Sequence, residues 1–353
     1  MVFLSLFFIP ALIALGMFIF TKRKITLKEF LLQMVIQSAI AGISVWIIFN
    51  ANTGDTELLN GQVTKKYKDR VSCEHSYRCR CRQECTGSGN NRRCSEVCDT
   101  CYEHYNDYDW VVNSTVGSLR IDRIDRQGTR TPPRWTKVII GEPFTRYHRY
   151  TNYIKASPDS LLRHQGLVEK YKQSIHSYPR VYDYYRSNKL VTVKGNVEDK
   201  DLWNKDLSEL NKELGSKKEV NIIVVLAFNL PQEYFHALKQ AWIGGKKNDN
   251  ITVIGLDDDL NIQWTSIMSW SDKELYKVKL RDEIMSLNKL DRKEVLKLVR
   301  KHTLNGFVRK PMNDFKYLEA SITPSMTQYL ISVIIGVLCS LGLSYAFFRE
   351  DIC

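Results

Sequence analysis

The 353-residue sequence lacks the short motifs by which several large enzyme classes are recognised. It contains no Gly-x-Ser-x-Gly, no His-Glu-x-x-His and no dinucleotide-binding glycine fingerprint, and the loop at residues 244–250 lacks the spacing of a phosphate-binding P-loop. Five histidines are scattered along the chain without the spacing of metal ligands: His148, His164, His176, His236 and His302. The function must therefore be sought outside these signature classes.

Repeats and extremes of composition are also missing. There is no repeat at a fixed period, and 18 glycines and 9 prolines are ordinary numbers, which excludes collagen-like and low-complexity chains. Hydrophobic residues make up 44% and charged residues 25% of the sequence, which excludes both wholesale disorder and a chain made only of membrane helices. The length is sufficient for two modest domains with their own cores.

Basic residues outnumber acidic ones, with 51 Lys and Arg against 39 Asp and Glu and a formal net charge of +12. Residues 145–186 interleave basic side chains with tyrosines. This pattern suits single-stranded nucleic acid, lipid headgroups at a membrane surface, or simply a solvated face. Because the topology below places this segment outside the cell, nucleic acid is the least expected of these partners.

Three long stretches have no charged residue at all: Met1–Phe20, Phe30–Asn50 and Ser321–Phe348. About 20 apolar residues in a helix span the hydrocarbon core of a bilayer, so each stretch predicts a transmembrane helix. The first stretch has no positive region before it and a second span follows closely, which favours a retained span over a cleaved signal peptide. Gln33 and Gln37 lie on one helical face, either bonded to a neighbouring helix or merely tolerated.

Basic residues in the first short loop predict the orientation. The loop at residues 21–29 carries Lys22, Arg23, Lys24 and Lys28, and short basic loops stay in the cytoplasm. Residues 51–320 are then extracytoplasmic, and the tail Arg349–Cys353 returns to the cytoplasm. The lipid bilayer and other membrane or envelope proteins are the expected partners.

Seven of the nine cysteines lie within 29 residues: Cys73, Cys79, Cys81, Cys85, Cys94, Cys98 and Cys101. Outside the cytoplasm, such a cluster predicts three disulfides and one cysteine that is free or paired with another chain, in a connectivity that spacing leaves open. If the orientation were inverted and the thiols reduced, Cys-x-x-Cys spacing with nearby His75 and His104 would indicate zinc instead.

Hydrophobic patterning between the spans predicts an α+β domain. Residues 111–124 alternate like a single strand, and Val138–Ile140 is a second strand candidate. The predicted organisation comprises a transmembrane hairpin at 1–50, a Cys-rich module at 51–110, a connecting region at 111–200, an α/β module at 201–320 and a transmembrane helix at 321–348.

The α/β module is predicted from six patterns. Trp203, Leu207, Leu210 and Leu214 mark the buried face of a helix that Gly215 would end. Residues 220–229 form an uninterrupted apolar run, typical of a central strand covered on both faces. A helix at 231–242 and a hairpin of strands around 251–256 and 261–268 follow. Ser271–Glu274 resembles a capping box for one helix, and Asp291 begins another.

One part of this module resembles a known family. Trp242, Gly244, Lys246 and Asn250, between a helix and the next strand, are similar to a motif of the TPM domain family, the thylakoid-lumen phosphatase-like modules. The resemblance covers about residues 155–310 and implies an extracytoplasmic α/β sandwich tethered by a C-terminal membrane helix. The chain departs from the family at 266–270, where SIMSW replaces a glycine-rich strand end.

Two other segments, CYEHYNDYDW at 101–110 and GEPFTRYHRYTNYIKASPDS at 141–160, are similar to uncharacterised membrane proteins of large tailed phages. This resemblance implies a bacterial envelope as the setting and implies no activity.

The run Asp257–Asp259 is the one candidate for metal-dependent chemistry in the module. Its carboxylates suit Ca²⁺ or Mg²⁺, although a solvated turn is the commoner role for such a run. We therefore expect a binding or structural protein of a membrane assembly with no cofactor. There are two alternatives: an extracytoplasmic metal-dependent hydrolase of the TPM type, acting as a weak phosphatase, and an intracellular zinc module if the orientation is inverted.

Overall fold

The computed structural model describes residues 2–21, 24–86, 93–157 and 166–349 and shows a mixed α+β fold. The helices are α1 Val2–Phe20, α2 Leu27–Thr53, α3 Pro133–Thr136, α4 Tyr153–Ala156, α5 Gly166–Lys170, α6 Lys200–Lys218, α7 Glu233–Ala241, α8 Glu274–Met285, α9 Arg292–Gly306 and α10 Met326–Arg349, with a 3₁₀ helix at Met312–Ser321. The strands are β1 Gly54–Ser72, β2 Ser76–Thr86, β3 Arg93–Tyr102, β4 Asn106–Ser114, β5 Gly117–Ile121, β6 Pro143–Thr151, β7 Val181–Tyr182, β8 Arg186–Ser187, β9 Leu190–Val193, β10 Asn221–Phe228, β11 Asp249–Leu256 and β12 Ile262–Met268.

Three helices, α1, α2 and α10, are long and apolar enough to cross a membrane by length and composition. They pack into a bundle, and small residues let the helices approach closely. A Cβ atom added at Gly336 of α10 would lie 2.7 Å from Cγ of Pro10 in α1. The hydroxyl of Ser340 donates a hydrogen bond of 3.0 Å to the carbonyl oxygen of Pro10.

Gln33 joins α2 to α10 inside this bundle. Its Nε2 donates to the carbonyl oxygen of Ser340 and to the hydroxyl of Ser344, each at 2.9 Å. Gln37 is also buried, but its Nε2 has no hydrogen-bond partner among the described residues. The predicted bonding to a neighbouring helix is therefore confirmed at Gln33 only.

Contacts at the two ends of the bundle give the helix directions. The hydroxyls of Ser5 and Tyr329 are 3.1 Å apart at one end, and Nζ of Lys24 lies 4.8 Å from the ring centroid of Phe348 at the other. Helices α1 and α10 are thus parallel and α2 is antiparallel to both. The α1–α2 turn and the C-terminal end of α10 share one end of the bundle, and the sheets are attached at the other. Residues 22–23 and 350–353, including Cys353, lie outside the described residues.

The first sheet is antiparallel, with strand order β5-β4-β1-β6. Its long central strand β1 follows α2 directly, pairs with β6 along its first half, and pairs with β4 along its second half. The residues predicted as one strand at 111–124 instead form parts of β4 and β5, because the chain turns at Thr115 and Val116 before Gly117, whose φ is +131°. Val138–Ile140 is a loop and not a strand.

The second sheet has strand order β12-β11-β10-β9, with β9, β10 and β11 parallel and β12 antiparallel to β11. Every residue of β10 is buried, which confirms the predicted central strand. One face is covered by α6, α8 and α9, and the other by α5 and α7. Strand β9 lies within the predicted connecting region at 111–200. Strand β4 crosses the predicted boundary at residue 110, and β1 of the Cys-rich range pairs with β6 of the connecting region.

Two predicted helix boundaries are wrong. Gly215 does not end α6 but lies inside it, and the helix ends at Lys218 before Glu219, whose φ is +53°. Ser271 does not cap α8, because its hydroxyl accepts a hydrogen bond from the backbone N–H of Val308 instead. By contrast, the predicted cap at Asp291 is confirmed by its hydrogen bond from the N–H of Glu294.

Candidate functional site

A disulfide-bonded hairpin of β2 and β3 extends from the first sheet as a separate two-stranded ladder. Its bridges are Cys79–Cys101, Cys81–Cys98 and Cys85–Cys94. The predicted three disulfides are confirmed, and Cys73 is the cysteine of this cluster that has no disulfide within the chain. The tip at residues 87–92 lies outside the described residues.

The hairpin is held by these bridges and not by an apolar core. Nearly all residues of β2 are exposed, and small modules without a core generally depend on such bridges. Tyr77 and Tyr102 are half exposed, and Tyr105, just beyond β3, is 91% exposed. Arg78 and Arg82 are exposed on the same hairpin. The hairpin therefore presents large exposed side chains outside any apolar core, although Arg82 pairs with Glu84 and the ring of Tyr105 faces Arg70.

Four potential metal ligands meet at the base of the hairpin, and we call them the base cluster: Cys73, His75, His104 and Asp107. Cys73 follows the end of β1, and His75 immediately precedes β2. His104 follows the end of β3, and Asp107 is the second residue of β4. The cluster therefore lies where the β1–β4 ladder ends and the β2–β3 ladder begins.

The ligand atoms of the base cluster all lie within 4.8 Å of one another. Sγ of Cys73 is 3.9 Å from Nδ1 of His75 and 3.9 Å from Nδ1 of His104. The carboxylate of Asp107 places Oδ2 3.1 Å from Nδ1 of His75 and Oδ1 3.4 Å from Nδ1 of His104. One thiol, two imidazoles and one carboxylate thus converge on a common centre.

Asp107 is completely buried in this arrangement. Its Oδ2 accepts hydrogen bonds from the backbone N–H of Glu74 at 3.0 Å and from Arg123 at 3.2 Å. Its Oδ1 accepts no hydrogen bond from the described residues. Burial alone raises the pKa of Asp107, but the N–H of Glu74 and the charges of His75 and Arg123 outweigh it and hold the pKa below its ordinary value. Asp107 is thus a buried carboxylate whose Oδ1 faces Nδ1 of His104 at 3.4 Å without a hydrogen bond from the described residues.

Sequence patterns named three of the four residues of the base cluster. Cys73 was given as a member of the cysteine cluster, and His75 and His104 as the histidines for zinc, but Cys98 and Cys101 of the Cys-x-x-Cys pattern are in disulfides. The structure brings the two histidines to Cys73 and to Asp107, and the patterns did not single out Asp107. The spacings Cys-x-His and His-x-x-Asp were the available signals. A second group with ligand spacing, at Cys81, Glu96 and Cys98, has its two thiols in a disulfide.

The Asp257–Asp259 run forms the turn between β11 and β12. Asp257 accepts hydrogen bonds from the side chain and backbone N–H of Asn261 and from the N–H of Asp259, which hold its pKa below the ordinary value. Asp258 accepts a 2.7 Å bond from the side chain of Asn229. These carboxylates are absent from the metal-spaced groups found in the described part of the chain. Calcium binding there remains a prediction.

The TPM-like motif residues have structural contacts. Nε1 of the buried Trp242 donates to the carbonyl oxygen of His176, and Gly244 has a φ of +73° in the turn after α7. Asn250 in β11 donates to the hydroxyl of Thr303 in α9. These contacts hold the turn and the strand in place.

Lys246, the fourth motif residue, reaches across to the first sheet. Its Nζ contacts Oδ1 of Asp55 in β1 at 2.6 Å, and its backbone N–H donates to Asp249. Asp55 also accepts hydrogen bonds from Tyr150 and Asn152 of the first sheet and its end. The loop after α7 therefore ties the α/β module to the start of β1.

A buried polar network continues this joint between the sheets. Nζ of Lys189 donates to Oδ1 of Asn221, which also accepts from Asn60 of β1. The side-chain amide of Asn221 and the hydroxyl of Tyr178 both donate to Asp249. All of these residues except Tyr178 are at most 3% exposed, so the network is a structural joint closed to substrates.

Burial also shifts the ionisation of this network. Desolvation raises the pKa of Asp249 to about 6, against hydrogen bonds that favour the charged form. Desolvation lowers the pKa of Lys189 to about 7, against the attraction of Asp249. The sequence patterns missed these residues because isolated polar residues within strands and loops carry no periodic signal.

Comparisons with protein-family models, curated proteins and solved structures found no match to this chain. The resemblances to TPM domains and to phage membrane proteins therefore remain predictions from short motifs.

Proposed function

We propose that this chain is a multi-pass membrane protein that displays residues 51–320 on the extracytoplasmic side. Disulfides persist in oxidising compartments, which supports an exterior position for the hairpin. The basic loop at 21–29 supports a cytoplasmic position for the opposite end of the bundle, shared by the C-terminal tail. Both assignments are compatible with the helix directions, which separate these two ends.

The displayed domain serves as a binding module of a membrane assembly, and the hairpin is its contact element. The observation that carries this proposal is a hairpin rigidified by three disulfides whose exposed tyrosines and arginines have no core to stabilise. Tyrosine and arginine are among the residues that dominate the energetics of protein interfaces. The expected partner is another protein of the membrane or envelope.

The connection between the bundle and the domain suits display in a defined orientation. Strand β1 continues from α2, and the 3₁₀ helix leads into α10. Tyr153, Ala156 and Ile322 form a small apolar cluster with Phe49 and Phe315 where these segments meet. Two covalent connections and this cluster restrict the swing of the domain relative to the helices.

Site-specific crosslinking in membranes of the cell that naturally makes the protein tests the contact element. Photoreactive residues at Tyr77 and Tyr105 are expected to capture the same membrane or envelope protein. The matched control is Lys297 of α9, whose side chain is 70% exposed on the α/β module. Equal capture at all three positions, or none at the hairpin, would contradict the proposed role of the hairpin.

Protease protection tests the orientation separately. In sealed right-side-out vesicles, added protease is expected to cleave within residues 51–320 and to leave the loop at 21–29 intact. Cleavage of the loop with an intact domain would show the inverted topology. With the inverted topology, a protein crosslinked to the hairpin would be a cytoplasmic partner.

A further inference from the structure

The base cluster combines the ligand types of protein zinc sites in one place. Cysteine sulfur, histidine nitrogen and carboxylate oxygen are the three donor classes that bind Zn²⁺, and structural sites use four protein ligands. Cys73 is 7% exposed, and it is the cysteine left out of the three hairpin disulfides. A role as a metal ligand accounts for this seventh cysteine, which has no disulfide partner within the chain.

The separations between ligand atoms are close to those around one tetrahedral ion. Metal–ligand bonds of about 2.0–2.3 Å at tetrahedral angles place neighbouring donor atoms about 3.3–3.6 Å apart. Four of the separations in the base cluster run from 3.1 Å between His75 and Oδ2 of Asp107, through 3.4 Å between His104 and Oδ1 of Asp107, to 3.9 Å between Cys73 and either histidine, and all the ligand atoms lie within 4.8 Å of one another. A tetrahedral site with one carboxylate oxygen therefore requires these side chains to move closer around the ion.

Two features of the surroundings point to a ligand at this centre. Oδ1 of the fully buried Asp107 has no hydrogen-bond partner among the described residues, and leaving such an atom unpaired is costly. A bound cation would satisfy it. The backbone N–H of His75 donates to Sγ of Cys73 at 3.4 Å, and the other oxygen of Asp107 is held by Glu74 and Arg123. Such outer contacts orient metal ligands.

We propose that the base cluster binds one Zn²⁺ ion through Sγ of Cys73, Nδ1 of His75 and His104, and a carboxylate oxygen of Asp107. With four protein ligands, the site is closed and structural. Its ligands lie next to the ends of β1 and β3 and at the starts of β2 and β4. The ion would therefore fix the hairpin to the first sheet. This site coexists with the three disulfides and does not require reduced hairpin cysteines.

Metal analysis of the purified full-length protein in detergent tests the proposal. After extensive dialysis, we expect about one zinc per chain together with three intact disulfides, counted by mass spectrometry under non-reducing conditions. Replacement of zinc by Co²⁺ is expected to produce a sulfur-to-cobalt charge-transfer band and the intense visible bands of tetrahedral cobalt. Both readouts use the wild-type chain and do not depend on the folding of any variant.

Variants then assign the ligands. Cys73→Ser is expected to abolish the sulfur-to-cobalt band, and Cys73→Ser and His104→Ala are each expected to lower the affinity for zinc by about tenfold or more. The matched controls are Cys339→Ser, which removes the free cysteine in α10, and His148→Ala, which removes a histidine paired with Glu57. Both controls are expected to keep the wild-type zinc content.

Two results would overturn the proposal. The first is a wild-type protein with three disulfides, negligible zinc and no cobalt charge-transfer band. The second is an affinity for zinc that Cys73→Ser and His104→Ala leave unchanged. Neither result bears on the membrane orientation or on the crosslinking of the hairpin, so the two proposals fail separately.

Discussion

The carbonyl oxygen of Asn60 lies directly against Gly215 of α6, where the first sheet meets the α/β module. A Cβ atom at position 215 would be 2.4 Å from that oxygen. The helix therefore carries a glycine in its interior, despite a helix propensity about 1 kcal/mol below that of alanine, because only glycine permits this approach.

Gly215→Ala is accordingly expected to destabilise the protein by about 1–3 kcal/mol, the usual cost of inserting a methyl group into a filled space. The measurement is urea unfolding of the full-length protein in detergent, followed by tryptophan fluorescence. Gly166→Ala is the matched control, since a Cβ atom there meets nothing within 4 Å. Equal unfolding free energies for both variants would contradict the packing argument.

The buried amine of Lys189 is expected to make the stability of the folded protein depend on pH. Its pKa is about 7 in the folded protein and 10.5 when unperturbed, so the folded state releases its proton more readily than the unfolded state. Below pH 7 both states hold the proton and the cost of burying the charge is fully present. As the pH rises from 7 towards 10.5, that cost is relieved and stability increases by up to about 1.4 kcal/mol per pH unit.

We therefore expect the unfolding free energy of the wild type to rise between pH 7 and pH 9 relative to that of Lys189→Met, which has no titrating group. Asp249 titrates near pH 6 in the wild type, below this window, and Lys189→Met raises the pKa of Asp249 further because it removes the attraction of Lys189. Parallel stability curves for the two proteins across the window would show that Lys189 keeps its proton in the folded state, and hence that burial does not lower its pKa.

At the scale of secondary structure, the β2–β3 hairpin depends on covalent bonds. A two-stranded hairpin alone is marginally stable in water, and a disulfide typically contributes about 2–4 kcal/mol by constraining the unfolded chain. Removing the Cys81–Cys98 bridge with paired serine substitutions is expected to increase amide exchange in β2 and β3 at least severalfold. Exchange in β10, buried in the other sheet, is expected to stay unchanged.

Hydrogen–deuterium exchange with mass spectrometry provides both readouts in one experiment. Cys339→Ser, which removes a thiol outside the hairpin, serves as the control and is expected to match the wild type. Unchanged protection of the hairpin without this bridge would mean that other contacts suffice to hold it.

The helix bundle offers a test at the same scale. Gly336→Ala places a methyl group 2.7 Å from Cγ of Pro10, whereas Gly342→Ala on the same helix meets nothing within 4 Å. Close packing through small residues drives association of helices in a membrane environment. We expect Gly336→Ala to lower the thermal unfolding midpoint in lipid bicelles and Gly342→Ala to leave it unchanged. A lower midpoint for Gly342→Ala than for Gly336→Ala would contradict close packing of α1 and α10 at Gly336.

At the scale of the whole molecule, binding of a partner and catalysis are the two competing roles for the domain at residues 51–320. The hydrolase alternative requires a hard cation at Asp257–Asp259, whereas a binding module does not. Calorimetry with Ca²⁺, Mg²⁺ and Mn²⁺ on wild type and Asp258→Ala separates the two. We expect no heat that depends on Asp258. Saturable heat that the substitution removes, together with phosphatase turnover, would favour the hydrolase.

The sequence was most informative where one local property decides the structure. Charge-free stretches predicted α1, α2 and α10, the apolar run predicted β10, and cysteine density predicted three disulfides with one free thiol. It was less informative at turns and caps. Residues 111–124 alternate as a strand should, yet a turn divides them into two strands. In the capping pattern at Ser271–Glu274, the hydroxyl of Ser271 accepts a hydrogen bond from the N–H of Val308 and does not cap the helix.

By itself, the sequence determined which segments suit lipid, which segment needs cross-links and which strand is central, because hydrophobicity and thiol content act within a few consecutive residues. Only the tertiary structure decided which cysteines pair and which one stays free. It also brought Asp107 to two histidines and joined Lys189 to Asp249. These relations unite residues from different strands and loops, and they depend on strand register and sheet order, which no local pattern encodes.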